Sequence, residues 1–322
     1  MFDQPGFGIR NKNGTQSGLI WGDLGHCHQI GAGIGGDCNG VPLNVVRYDS
    51  PVFGGFSVSA SWGEDDMWDV AARYAGEYNG FKVAAAAAYS VNTDEHTVGE
   101  FGIATDTNII AAFPGLLTLN TDSFGRRDTG YFQVGAYLEH VPTGLFLYGA
   151  YGREDVDDIY FTDAGLSVLD VGPFPLGTFA TTGLLVPEDK PDHWYLKAGL
   201  RERWTPLGHT VLYGEYSQRN DMISPGAIIA TATDSFVAGL PAGDGRFTTI
   251  TGSEITMWGV GVVQEIDAAA MSVWLSFKHF EGEIDTQGCN VTSANTFTCT
   301  GATGTSDFDD FQLIKAGALI NF

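Results

Sequence analysis

Apolar and polar positions alternate along most of this chain with a period of two, the spacing of a β-strand whose two faces meet different surroundings. Eleven stretches carry the pattern: 43–50, 56–63, 67–77, 81–90, 129–140, 145–153, 193–204, 209–218, 254–266, 271–282 and 309–322. The clearest is Phe56-Ser57-Val58-Ser59-Ala60-Ser61-Trp62, apolar at every even position and serine at every odd one. In 193–204 one face collects Trp194, Leu196, Ala198, Leu200 and Trp204, and the other His193, Tyr195, Lys197, Arg201 and Arg203. Residues 129–140 set Phe132, Val134, Ala136 and Leu138 against Gln133, Tyr137 and Glu139. The last stretch sets Ile314, Ala316, Ala318, Ile320 and Phe322 against Lys315 and Asn321. Only 145–153 is ambiguous, because both of its faces are apolar.

The connections predict the architecture. Tight turns fall at Pro51–Gly55, Glu77–Gly80, His140–Gly144, Thr205–Gly208 and Glu265–Ala270. Between them lie one short link, Gly63–Met67, and four long stretches, 91–128, 154–192, 219–253 and 283–308. Long structureless loops count against a compact soluble domain. Here they alternate strictly with tight turns, so they all project from one end of an up-and-down sheet. That asymmetry predicts an all-β chain forming an antiparallel up-and-down transmembrane β-barrel. A soluble sandwich would show the same alternation with its apolar face turned inward. Aromatic residues at strand ends separate the two: Tyr48, Trp62, Tyr78, Phe81, Trp194, Trp204 and Phe322 resemble interfacial girdles. Small wall residues such as Gly76, Ala84, Ala86 and Ala88 point the same way.

Charge narrows the function classes. The chain has 322 residues, 16 basic against 39 acidic, for a net charge of −23. Such a surface repels phosphate and argues against nucleic acid. No apolar run approaches the roughly eighteen residues of a membrane helix, and abundant aromatics disfavour disorder. The four cysteines form two close pairs, Cys27/Cys38 and Cys289/Cys299, whose spacing suggests two disulfide-closed loops in an oxidising compartment. Met1-Phe2-Asp3-Gln4-Pro5 does not read as a signal peptide, so a processed, truncated or cytosolic chain is expected, and the strand count below favours truncation.

Val45-Val46-Arg47-Tyr48-Asp49-Ser50-Pro51-Val52-Phe53-Gly54-Gly55-Phe56-Ser57-Val58-Ser59-Ala60 resembles the alphaproteobacterial porins of the rhizobial and Brucella type. So do Trp68-Asp69-Val70-Ala71-Ala72-Arg73-Tyr74 and Tyr78-Asn79-Gly80-Phe81-Lys82-Val83-Ala84-Ala85-Ala86. The resemblance extends over essentially the whole chain and is strongest in 20–90. The final strand ending in Phe322 resembles the terminal signal that outer-membrane proteins present to the barrel-assembly machinery. Such a family implies a homotrimer of sixteen-stranded outer-membrane barrels through which small hydrophilic solutes and ions diffuse passively. It also implies a loop between the fifth and sixth strands that folds inward as a constriction. Bacterial barrels close with an even strand number, whereas eleven strands are counted here. Residues 1–42 are then expected to be the constriction loop and 43–322 the barrel strands, with five strands missing. The sheet should be open, with exposed edges at 43–50 and 309–322.

Motifs for other chemistry are weak. Gly31-Ala32-Gly33-Ile34-Gly35-Gly36 fits G-x-G-x-x-G but lacks the strand and helix of a dinucleotide site, so a flexible loop is expected. His26-Cys27-His28 with Cys38 lacks zinc spacing. Glu154-Asp155-Val156-Asp157-Asp158 lacks the pattern of a calcium loop and reads as a solvated acidic loop, with cation bridging to lipopolysaccharide as the sharper alternative. No catalytic motif stands out, so neither an enzyme nor a cofactor or metal is expected. The informative set is polar: phase places Arg47, Arg73, Lys82, Lys197, Arg201, Arg203, Lys278 and Lys315 on one face, predicting a basic pore wall. Asp3, Asp23 and Asp37 of the inward loop would face it across a narrow aperture. That field orients dipolar solutes and disfavours apolar ones. The expected partners are further copies of the chain, lipopolysaccharide and outer-membrane lipid, the assembly machinery, and the solutes themselves. The competing function is a β-rich outer-membrane binding or adhesion protein that engages a partner through its long acidic loops.

Overall fold

A computed structural model describes residues 8–14, 16–21, 23–25, 44–63, 66–94, 117–119, 127–156, 159–160, 164–168, 179–181, 185–186, 190–222, 228–229, 246–293, 296–298 and 300–320. Eleven strands form one antiparallel meander, each pairing with its neighbours in sequence. They are β1 (Val45–Asp49), β2 (Phe56–Gly63), β3 (Trp68–Tyr78), β4 (Phe81–Asp94), β5 (Arg127–His140) and β6 (Leu145–Val156). The meander continues with β7 (Asp192–Thr205), β8 (Gly208–Asn220), β9 (Arg246–Ile266), β10 (Met271–Ser293) and β11 (Phe311–Ile320). The fold is thus all-β and up-and-down, with the tight turns where the alternation placed them. At Asn79-Gly80 both residues have positive φ, 51° and 80°, the twist that a two-residue hairpin turn needs. As the strand count predicts, the sheet is open: among the described residues no ladder joins β1 to β11.

Register assigns every side chain to one of two faces. Lys197 stands opposite Tyr148 and Glu215, Glu215 opposite Gly259, and Gly259 opposite Lys278. This row defines an inner face. The outer face is apolar and exposed: Val58 is 53 % accessible, Leu147 52 %, Leu196 47 % and Leu275 50 %. On the inner face the buried groups are largely polar, among them Ser59, Ser61, Asn92, Thr129, Glu139, Glu154, Glu215, Ser253 and Ser276. Such burial inverts that of a water-soluble protein. The ambiguous stretch 145–153 resolves in the same way, with Leu145 and Leu147 outward and Phe146 and Tyr148 inward, opposite Glu139 and Tyr137.

Two expectations change. Glu154 is not in a solvated loop: it ends the alternation of β6 on the inner face, only 1 % accessible, and its N–H donates to the Pro191 carbonyl at 2.9 Å. The 219–253 and 283–308 stretches contribute strand, because β9 has 21 residues and β10 has 23. Their paired ladder runs on from Glu254/Glu283 to Arg246/Asn290.

The apolar core is small and lies off the outer face. A hairpin of Gly8–Arg10 and Gln16–Ile20, followed by a single 3₁₀ turn at Asp23–Gly25, packs on the inner face of β9–β11. Ile9, Trp21 and Leu24 bury against Ile255, Met257, Phe280, Ile284 and Phe308. The Trp21 ring lies 5.9 Å from Phe311 and 6.4 Å from Phe280. Asp309 N–H donates to the Arg10 carbonyl at 2.7 Å, Lys12 pairs with Asp307 at 3.2 Å, and Arg219 donates to the Gly25 carbonyl.

Candidate functional site: the inner wall

Strand parity puts seven of the eight predicted basic residues on the inner face. Arg47 stands opposite Ser61, Arg73 opposite Ser57, Lys82 opposite Glu77 and Glu139, and Lys315 opposite Ser276. Lys197, Arg201 and Lys278 follow from the row described above, while Arg203 falls where the register shifts between Glu202 and Thr205. The same parity brings carboxylates to the same face, and that part of the wall was missed in the sequence. Arg47 forks onto Asp49 (2.8–3.1 Å), Arg201 onto Glu265 (2.8 and 3.0 Å), and Arg203 reaches Asp267 at 2.6 Å. Lys278 Nζ is 3.3 Å from Glu215 Oε1. The wall is therefore one of matched charges rather than a basic one. The signal was available: Asp49, Glu215 and Glu265 each fall on the polar phase of their own alternating stretch.

The second feature of the wall is aromatic. Tyr137, Tyr148, Lys197 and Glu215 stand in one row across β5–β8, each opposite the next. Around them, Phe146 stacks on Tyr137 (5.9 Å, 30°) and Tyr195 meets Tyr148 at 5.8 Å. Lys197 Nζ sits 3.6 Å from the centre of the Tyr213 ring, a cation–π contact. Tyr195 donates to Glu215 Oε2 at 2.5 Å, and Tyr137 to Glu139 Oε2 at 2.9 Å. Gly259 carries no side chain between Glu215 and Lys278, so the lysine can span the gap.

The inner wall of β2–β4 is different. It presents Ser57, Ser59, Ser61, Ala71, Ala75, Ala84, Ala86 and Ala88 around Arg73, whose Nη1 donates to Ser59 at 2.8 Å. Ser61 donates to Asp69.

Other predicted positions fall elsewhere. Asp23 lies in the 3₁₀ turn of the inward segment. Asp3, Asp37, Cys27, Cys38, Cys299 and Phe322 lie outside the described residues. Cys289 is in β10 opposite Phe247, and its neighbour Asn290 pairs with Thr298. Among the described residues, the grouping with metal-ligand composition is His279, Glu281 and Asp310, whose ligand atoms lie within 4.8 Å of one another. It sits on the outer face beside Trp258, away from the wall.

No protein-family model matches the chain, and no curated protein matches it. Among solved structures, the chain is similar to the β-domain of the Bordetella autotransporter BrkA, with 10 % identity over 86 % of this chain and 97 % of that one, at a TM-score of 0.29. It is also similar to the toluene transporter TodX of Pseudomonas putida, with 9 % identity over 83 % and 70 % of the two chains, at a TM-score of 0.28. At these scores the description of the fold rests on this chain's own strand order and register.

Proposed function

We propose that this chain forms much of the wall of an outer-membrane porin, a β-barrel that small hydrophilic solutes and ions cross by passive diffusion. The observation that carries this reading is the inverted burial: large apolar side chains cover the exposed face while serines, an asparagine and carboxylates line the sheltered one. Lipid outside and water inside reward that arrangement. Outward aromatics mark its height. On β7, Trp194 and Trp204 are ten residues apart, about 33 Å along a strand and about 25 Å once tilted by roughly 40°, the depth of an outer-membrane apolar band.

Strand direction constrains closure. β1 and β11, separated by an even number of steps in the meander, run the same way. Joined directly they would pair in parallel, so an all-antiparallel wall takes an odd number of further strands between them. Five, giving sixteen, satisfy this. The inward hairpin at 8–20, anchored by Trp21, narrows the passage in this reading.

Planar-bilayer recording of the complete protein tests the proposal. Stable ohmic steps are expected. A protein that inserts without conducting would instead support the reading in which the acidic loops engage a partner.

A further inference from the structure

The inner wall is not uniform. Aromatic rings crowd the inner face of β5–β8, whereas that of β2–β4 carries alanine and serine. A wall that only admits water and ions has no use for this concentration. A tyrosine beside water presents an apolar ring face together with a polar hydroxyl. We infer that the tyrosine row of β5–β8 is a binding subsite for neutral ring-shaped polyols, that is, hexoses and short oligosaccharides in transit. This inference rests on the pore reading.

Two observations select that chemistry. First, the rings are held in place. Tyr137 is stacked on Phe146 and tied to Glu139, and Tyr195 is packed on Tyr148 and tied to Glu215, so little ordering is left for a bound solute to impose. The C–H face of a sugar ring is the apolar surface that such platforms accept. Second, charge is matched at this level. Lys278 faces Glu215, Lys197 lies over Tyr213, and Glu139 accepts from Tyr137. Two ammonium groups against two carboxylates favour neither anions nor cations, while supplying the mixed donors and acceptors that hydroxyl groups need.

Single-channel recording of the complete protein, with maltotriose as the ring probe and sorbitol as the open-chain control, tests the inference. Maltotriose is expected to interrupt the current in a saturable way. Sorbitol at matched viscosity should lower it smoothly. Each ring contributes roughly 0.5–1.5 kcal/mol, so Tyr148→Ala should weaken the block roughly threefold to tenfold. Tyr148→Phe should keep most of it, and Ser57→Ala on β2, three strands away from β5, should change nothing. Identical responses to the two probes, or a Tyr148→Ala, Tyr195→Ala protein blocked as well as the parent, would overturn the subsite while leaving the pore intact. If the protein does not conduct, the pore reading fails separately. Saturation-transfer NMR in detergent then decides the subsite: a maltotriose signal with the parent that vanishes in the double variant supports it, and no signal with the parent refutes it.

Discussion

The second to fourth strands and the fifth to eighth share an outer surface but not an inner one. On both, the outward positions are exposed and apolar: Val58, Val70 and Tyr78 on one side, Val134, Leu147 and Leu212 on the other. Inward, β2–β4 carry alanine and serine around a single arginine, and β5–β8 carry tyrosines tied to carboxylates. A third inner surface, the part of β9–β11 around Ile255, Met257, Phe280 and Ile284, is apolar and covered by the hairpin of Gly8–Arg10 and Gln16–Ile20. The outer face answers to one solvent around its whole circumference, so its composition is repetitive. The inner face is free to vary, and each sector takes the residues that its task requires. Differences in transport should therefore map to inner sectors, and failures of assembly to outward positions in any sector.

The largest expected effect is on the covered sector. Trp21→Ala removes a buried ring from the cluster beneath the hairpin, a change that typically costs about 3–5 kcal/mol. The hairpin should detach, conductance should rise and protease should cut within 8–25, with the sheet intact. An unchanged conductance would mean that the hairpin does not narrow the passage. Next come Val58→Arg and Leu275→Arg, outward positions in different sectors, 53 % and 50 % accessible. Each should lower folding stability in lipid by about 2–4 kcal/mol, as read by urea unfolding in vesicles. A large inequality between them would break the idea of a uniform outer surface.

A smaller effect tests the matched charges. Arg201→Gln leaves Glu265 without its fork and should shift zero-current potential in a salt gradient toward cations, with a stability loss of about 1 kcal/mol at most. The shift should fade at high salt. Adding Glu265→Gln should restore the parent value, an outcome that a purely basic wall does not predict. The mildest effect lies above the girdle, in the part of β10 that extends past it. Burial, and then the carboxylates of Glu254, Asp307 and Asp285, raise the Glu283 carboxyl above its ordinary value. The native form therefore takes up a proton at a pH where an unfolded chain has not. This group's contribution to stability should grow as pH falls through its native pKa. Hydrogen exchange around 283–307 should slow on mild acidification, and Glu283→Gln should be slow already and respond less to pH.

Most of the meander was legible because lipid and water impose a strict period of two. That rule placed the turns and put seven of the eight bases on one face. It lost its grip where both faces meet the same medium. Beyond Glu254 and Glu283 the β9–β10 ladder continues through Thr286, Gln287, Thr248 and Thr249, held by backbone pairing, with Ile250 and Ile284 too few to set an alternation. Glu154 misled because it opens an acidic run, although strand parity alone would have turned it inward. The doubled apolar pattern of 145–153 was itself informative, since Phe146 and Tyr148 belong to the aromatic sector. Pairing of charges was not legible, because Arg201 and Glu265 meet only through a ladder 64 residues apart.

The hairpin's anchorage also sets an order of events. Lys12 meets Asp307 across 295 residues of chain, a closure whose entropy alone costs about 5 kcal/mol. Its seat is built from β9, β10 and β11, so it exists only once the last strands are in place. The hairpin therefore cannot take its seat until they are. In the proposed pore, narrowing of the passage is then the final act of assembly, and a chain stalled before β11 is expected to leave a wider passage than the finished one.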